Sequence, residues 1–429
     1  MKILLVGSGA RENMLAEQLA RSSELYVAME RRNPGIEKAS QKCFVCDYSN
    51  IEAIGGWAIR ENLDIALVTS ENALNKGLSD ALADAGLRVV SPPSAGSVIG
   101  ESALYANNLM RAAGIRTPRL ISCSKESEVA AAMKEIPRSV IKPSVKVDWK
   151  GTKFSETDLK ANDAVKYAKK LIKAHGSAVV EEIIDGEGFS LQGITDGKTL
   201  SAMPPVHTVK RAKEGNQGEL TEGMGGFSAG RLLPFMKQED LDYARAALWK
   251  VVSALKGKGV DYRGPIRGEF MVSRTGTMML DVYATFGEMD TLNGFMLLRT
   301  QMSEVLRSVA EGSLVPLSFM EKATVVKYLV PEGYPGKAKK SEIVIDERAL
   351  WNNGAKAVFE SVESRDGKLL SGNGRALAVC ASGLDLGEAE RKAESAASSV
   401  GGALYHRRDI AAPDYISRAV KHVALLRSS

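Results

Sequence analysis

Over its first 95 residues the chain alternates short apolar runs with amphipathic stretches, and this rhythm restricts the fold more than any other feature. KILLVG, LYVAME, KCFVCD, IALVTS and LRVVSP have the length and β-branched content of strands. RENMLAEQLARS, NIEAIGGWAIREN and NKGLSDALADAG lie between them with apolar residues at helical spacing. Such an alternation predicts a parallel sheet covered by helices on both faces. Because the first run stops at Gly7, MKILLVGSGARE reads as an opening strand rather than a signal peptide. No apolar run approaches the roughly 18 residues of a membrane span. A cytoplasmic protein with no membrane partner is therefore expected.

At 429 residues there is room for more than one further domain. PPSAG punctuates the chain, and the helix ALYANNLMRAAGI follows. Strands, helices and DGEG or DGK turns run to about residue 200. Residues 201–230 are polar and glycine-rich and read as a long loop. Helices are expected at about 236–256 and 292–311 on either side of an apolar hairpin. From about residue 325 the chain is strand-rich, with one further helix at about 387–399. The expected units are 1–103, 104–324 with a small lobe at about 120–190, and 325–429.

Charge and side-chain chemistry narrow the function classes. The net charge of +5 is spread along the chain, which disfavours a nucleic-acid partner but allows basic pockets for phosphorylated small molecules. Cys43 and Cys46 form one C-x-x-C without a second pair, so small apolar strand residues are favoured over zinc or redox chemistry. His175, His207, His406 and His422 have no metal-ligand spacing, and a metallohydrolase finds no support.

The chemistry starts with GEFMVSRTGTMMLDVY at 268–283. A turn centred on Thr275 places Glu269 opposite Asp281, and Met271 opposite Met279. Opposed residues have Cβ atoms about 4.5–5.5 Å apart, where like charges repel. A cation between them, Mg²⁺ above all, is one reading; two solvated acids on an edge hairpin is the other. In LLVGSGAREN, Gly7 and Gly9 bring backbone close to a helix N-terminus, and Arg11 adds a fork for a phosphate. A tight βα turn is the plain alternative. Glu12 breaks the G-x-G-x-x-G pattern, so NAD is not indicated. SVIKPS ends a strand on Lys142, within reach of a nucleotide phosphate, and KGTKF, with Lys150 and Gly151, reads as the return strand. In AVVEEIIDGEGFSLQG, the Ile183-Ile184 segment can offer backbone groups to an adenine, and Glu187 can accept from ribose hydroxyls.

The order of these pieces resembles the ATP-grasp ligases, and within them the glycinamide ribonucleotide synthetases, archaeal members especially. The resemblance runs through GSGARE, RRNPGI, SENALNKGL, NLMRAAGI, VIKP, VVEEIIDGE, PPVHTVKRAKEGNQGELTEGMGGFS, YRGPIRGEFM, TFGEMD, GRALAVCASG and YHRRDIA. It implies an N-terminal parallel α/β domain, a two-lobed ATP-grasp region whose small lobe is a lid, and a C-terminal β-rich domain. It also implies that ATP phosphorylates glycine and that 5-phosphoribosylamine attacks the acyl phosphate, in a monomer or dimer. Mg²⁺, or Mn²⁺ in its place, would lie at Glu269 and Asp281. ATP would contact Lys142, Lys150, Glu181, Ile183, Ile184 and Glu187. Gly9, Arg11, Asn33, Gly35, Glu71 and Gly223 would bind the substrates. Lys210, Arg211, Met224 and Gly225 would surround the reacting groups.

The chain also departs from that family's pattern. Asn13 stands for a His, Thr69-Ser70 for Gly-Pro, and Ala103 for a Lys. VKVDW replaces a glycine-rich loop, Thr208-Val209 an Asp-His, and Leu220 an Asn. Tyr283 stands where a third metal ligand, Asn, is expected, and Thr285 where an Arg is. Three functions remain open at this level: the glycine ligase itself, a sister ligase with another acid or amine, or a nucleotide-binding protein without ligase activity.

Overall fold

In a computed structural model, residues 1–146, 152–154 and 161–428 are described. The N-terminal strands lie in the spatial order Lys42–Val45, Glu24–Met29, Lys2–Val6, Ile65–Val68 and Arg88–Val89, all parallel. Successive side chains of the first strand enter opposite cores. Ile3 and Leu5 pack with Met14 and Leu19 on one face, and Leu4 and Val6 with Trp57 and Leu82 on the other. Both faces exclude water, so residues 3–6 of the strand are all apolar. Helix Ala10–Leu19 follows this strand after a short turn, and the Glu12 carboxylate caps its start by accepting from Gly9 N at 2.7 Å.

Three antiparallel sheets build the rest of the cleft. The small lobe orders its strands Leu120–Cys123, Ala178–Glu182, Ser139–Pro143 and Lys153–Phe154. Its own core joins Cys123, Ile141 and Val180 of the sheet to Val129 and Ala168 of two helices. The next sheet orders Leu200–Ala202, Gly186–Thr195, Gly264–Ser273 and Gly276–Tyr283. The C-terminal sheet runs His207–Lys213, Gln217–Ser228, Ala323–Pro331, Leu377–Gly383 and Ala355–Phe359, with Leu404–Tyr405 paired at one side.

Four sequence expectations change here. The expected loop at 201–230 is largely the hairpin His207–Lys213 and Gln217–Ser228, which carries the C-terminal sheet to the cleft. Its glycines serve strand packing: a Cβ on Gly225 would meet the Val326 carbonyl oxygen at 2.1 Å. The helix expected at 292–311 is two, Glu288–Leu297 and Met302–Ala310, because Leu298 bridges to Phe319 and Arg299 N donates to Ser318 O. Helix Pro413–Ser428 was not anticipated, although Tyr415, Ala419 and Val423 recur at its buried spacing. Finally, Met271 pairs with Met278 rather than Met279. No helix among the described residues is long and apolar enough to cross a membrane.

Candidate active site

A cleft of about 1000 Å³ opens where these sheets meet. Gly9, Arg11 and Glu71 line its N-terminal end; Lys142, Glu181, Ile183, Ile184 and Glu187 line its small-lobe side. Glu269 and Asp281 face it from the acid hairpin, and Lys210 and Arg211 from the glycine-rich hairpin. Lys150 lies outside the described residues.

The acid pair depends on a bulge. Ser273 pairs with Gly276 across the two-residue connection Arg274-Thr275, and Phe270 pairs with Met279. An uninterrupted ladder would then bring Glu269 opposite Leu280. The register shifts after Phe270, leaving Leu280 as the extra residue, and Glu269 meets Asp281. The expected pairing is therefore reached through a two-residue turn plus a bulge, not through a turn centred on Thr275.

Both carboxylates are already surrounded by cations. Glu269 Oε1 accepts from Arg267 at 3.0 Å and Lys210 at 3.1 Å, and Oε2 accepts from Lys210 at 3.0 Å. Burial acts to raise the Glu269 pKa, but Lys210 and Arg267 outweigh it and hold it at about 2. Asp281 Oδ1 accepts from Val282 N at 2.9 Å and pairs with Lys146, while Oδ2 lies 4.0 Å from Lys142. Lys142 also pairs with Glu181 at 2.9 Å. Burial acts to lower the Lys142 pKa, and Glu181 and Asp281 more than reverse it. Mg²⁺ is usually held by one or two carboxylates plus substrate phosphates. Asp281 Oδ2 and the second lone pair of Glu269 Oε2 have no donor within bonding distance among the described residues. The pair fits one such cation.

On the small-lobe side, Ile183 N donates to Arg138 O at 2.9 Å, so that N–H is already engaged. Phe189 and Phe270 stack with centroids 5.2 Å apart and form an apolar wall. Glu187 accepts from His422 Nδ1 at 2.8 Å, and His422 Nε2 lies 3.3 Å from Asp185. The unanticipated C-terminal helix thus aims the carboxylate that faces the cleft. Replacing His422 with Ala is expected to raise KM for ATP by about 2- to 10-fold, the value of one hydrogen bond, with kcat nearly unchanged. Steady-state kinetics at varied ATP checks this split.

At the N-terminal end the backbone donors are occupied by the chain's own acids. Gly9 N donates to Glu12 at 2.7 Å and Ala10 N to Glu360 at 2.9 Å. Arg11 donates to Glu12, Phe286 O and Thr69 O, each at 2.6 Å. Glu360 belongs to a buried cluster in which Arg375 contacts Glu288 at 2.6 Å and Glu222 at 3.1 Å. Burial, with Glu360 alongside, pushes the Glu288 carboxyl well above the ordinary range despite Arg375.

Five expected contacts lie off the cleft lining: Asn33, Gly35, Gly223, Met224 and Gly225. Asn33 is 1% exposed, caps helix Pro34–Ala39 and donates to Phe359 O at 2.8 Å. A Cβ on Gly35 would meet Asn13 Oδ1 at 2.2 Å. Gly223 O accepts from Arg375 at 2.9 Å, and Gly225 is enclosed by Val326 as described. Met224 is fully buried, and these five shape the walls rather than face the cavity. Conversely, Arg267, Glu288, Arg375 and His422 escaped the sequence reading, and Lys146 was legible only as one of several lysines near the altered loop. Arg267 stands two residues before Glu269 on the same strand face, a period-two signal that pointed to it. The others come from distant segments and had no local signal.

Comparison with known proteins gives three matches along the chain. Residues 1–100 match the phosphoribosylglycinamide synthetase N domain, 101–291 its ATP-grasp (A) domain and 324–413 its C domain. The phosphoribosylamine–glycine ligase of Methanothermobacter thermautotrophicus is 35% identical over 439 residues, covering 100% of both chains. That of Methanocaldococcus jannaschii is 32% identical over 443 residues, again covering 100% of both. A crystal structure of phosphoribosylamine–glycine ligase from Thermotoga maritima superposes with a TM-score of 0.81 at 23% identity, over 96% of this chain and 100% of that one. The biotin carboxylase domain of the Hydrogenobacter thermophilus 2-oxoglutarate carboxylase, solved with MgADP, gives a TM-score of 0.73 at 13% identity, over 99% and 93%.

Proposed function

The chain belongs to the phosphoribosylglycinamide synthetase family, and from that membership we infer that it is an ATP-dependent carbon–nitrogen ligase joining glycine to 5-phosphoribosylamine in purine synthesis. The observation that carries this reading is the meeting of Lys142, the acid hairpin and the Lys210-Arg211 hairpin around one cleft. The adenine lies against the Ile183-Ile184 segment and the Phe189–Phe270 wall, with Glu187 on the ribose. Lys142 has three N–H donors and can take a phosphate oxygen while keeping Glu181, which leaves no buried charge unpaired. Glu269 and Asp281 would hold Mg²⁺, which would supply positive charge to the transferring phosphoryl group.

The glycine carboxylate attacks the γ-phosphorus, and the bond to the ADP oxygen breaks with its electron pair. The amine nitrogen then attacks the acyl carbon, phosphate leaves, and the nitrogen loses a proton. Lys210 and Arg211 face the anionic oxygens in both steps, as fixed positive charge in a cleft. The lobe at about 120–190 closes as a lid that keeps water from the acyl phosphate.

One observation favours a sister ligase with another amine. A phosphate at the start of helix Ala10–Leu19 must displace Glu12 or Glu360 from Gly9 N or Ala10 N. ADP release from MgATP, glycine and freshly generated phosphoribosylamine decides between them. Turnover that needs both substrates is the expected outcome. Turnover only with a different amine assigns the sister ligase, and none in folded protein sinks both.

A further inference from the structure

Lys146 is held beside Asp281 from several directions. Its Nζ donates to Ile99 O at 2.7 Å and to Val282 O at 2.7 Å, and it pairs with Asp281 Oδ1. Three acceptors use three protons, so the group is an ammonium rather than an amine. The Tyr283 ring centroid lies 4.4 Å from the nitrogen on a further side. The segment carrying Lys146 is fastened too. Lys146 N donates to Glu101 O at 2.6 Å, Ala103 N donates to Ser144 O at 3.1 Å, and Ser102 bridges to Val145. One carboxylate, two carbonyls and an aromatic face form a cage for a cation on the cleft wall. The cation that fills it is part of the chain.

We propose that Lys146 permanently supplies the positive charge on the Tyr283 side of Asp281, so that nucleotide binds with a single divalent cation, held toward Glu269. This rests on the nucleotide-binding reading above, not on the identity of acid or amine. The lone pairs set the limit. A carboxylate oxygen accepts about two donors. Asp281 Oδ1 has Lys146 and Val282 N, and Glu269 Oε1 has Lys210 and Arg267. Among the described residues one position remains on Glu269 Oε2 and two on Asp281 Oδ2, so one ion can bridge both acids and a second would have Asp281 Oδ2 alone. On the Lys146 side Tyr283 presents a ring face, which gives a divalent cation no oxygen ligand. Lys146 and Tyr283 form one device: a lysine and the ring it rests on.

The test counts Mn²⁺ bound with the ATP analogue AMP-PNP, by electron paramagnetic resonance, beside calorimetric affinities. The unaltered chain is expected to bind one Mn²⁺ per AMP-PNP at saturation. Lys146→Ala with Tyr283→Asn is expected to bind two, and to lose about 10- to 100-fold in affinity at one equivalent of Mn²⁺, the value of a charged hydrogen bond. Excess Mn²⁺ restores that loss, and Lys146→Arg keeps the count at one. Two Mn²⁺ per AMP-PNP in the unaltered chain overturns the proposal, whether or not the variants fold. So does an unchanged count and affinity in folded Lys146→Ala, or a failure to bind AMP-PNP. Failure of the ligase reading looks different: no product forms with any acid and amine, while the count stays at one.

Discussion

Glu269→Gln is expected to lower kcat/KM for ADP formation by about 10²- to 10³-fold, the cost of removing one preorganised charge-stabilising group from an active site. The substitution keeps the volume and an acceptor for Arg267, but it removes the charge that balances Lys210 and Arg267. It also removes one of two oxygen donors facing the cleft. Asp281→Asn should act similarly, and the double variant should lose less than the product of the two, since both serve one cation. The Glu269 pKa of about 2 gives a pH signature. A depressed carboxylate contributes stability that is present above its unfolded value of about 4.3 and lost as pH falls toward about 2. Glu269 is thus ionised throughout neutral pH, and the kinetic loss should be constant from about pH 6 to 8. A loss that vanishes at one end of that range would assign the effect to another group. Thermal unfolding of the same samples separates a chemical loss from a folding defect.

Lys327→Met is expected to cost about 3–5 kcal/mol of stability, the range for breaking a buried ion pair by removing one partner. Lys327 is 0% exposed in strand Ala323–Pro331, the strand joining the glycine-rich hairpin to the C-terminal sheet. Its Nζ donates to Glu394 at 2.6 Å, and to Glu390 and Arg408 O at 2.9 Å each. Methionine fills the volume but removes the cation between two partly buried acids, of which, among the described residues, only Glu394 keeps another donor, His406. Burial acts to raise the Glu394 pKa, and hydrogen bonds from His406 and Lys327 hold it at about 2. Because that pKa is depressed, the stability it contributes is lost as pH falls from about 4.3 toward 2. Without Lys327 the acid-induced unfolding limb moves to higher pH. Urea unfolding at neutral and acid pH measures both effects. Adding Glu394→Gln should return part of the loss at neutral pH, and no return would mean that packing rather than charge is responsible.

Local rules made several elements legible. Glu269 and Asp281 were placed opposite each other from turn chemistry, although the structure reaches that pairing by a bulge at Leu280. A bulge depends on how the strand meets its neighbours, so it left no mark in the hairpin's own residues. Segment 207–228 misled because glycine-rich polar composition reads as loop. Its glycines admit the Val326 and His207 carbonyls at distances no side chain allows, and those carbonyls lie far away in sequence or across the hairpin. The break at Leu298 likewise depends on Phe319, a partner outside any helical window.

The sequence by itself determined the parallel N-terminal sheet, the acid hairpin, the lysine strand and their order, because each follows from periodicity and turn chemistry over a few residues. Motif order along the whole chain was enough to reach the family. Only the tertiary structure decided what those groups touch. Arg267 and Lys210 hold Glu269, His422 aims Glu187 from the last helix, and Lys146 lies on Tyr283 beside Asp281. The physical reason is range. Secondary structure answers to neighbours along the chain, whereas the charge on a buried carboxylate answers to whichever cations folding brings within a few ångströms.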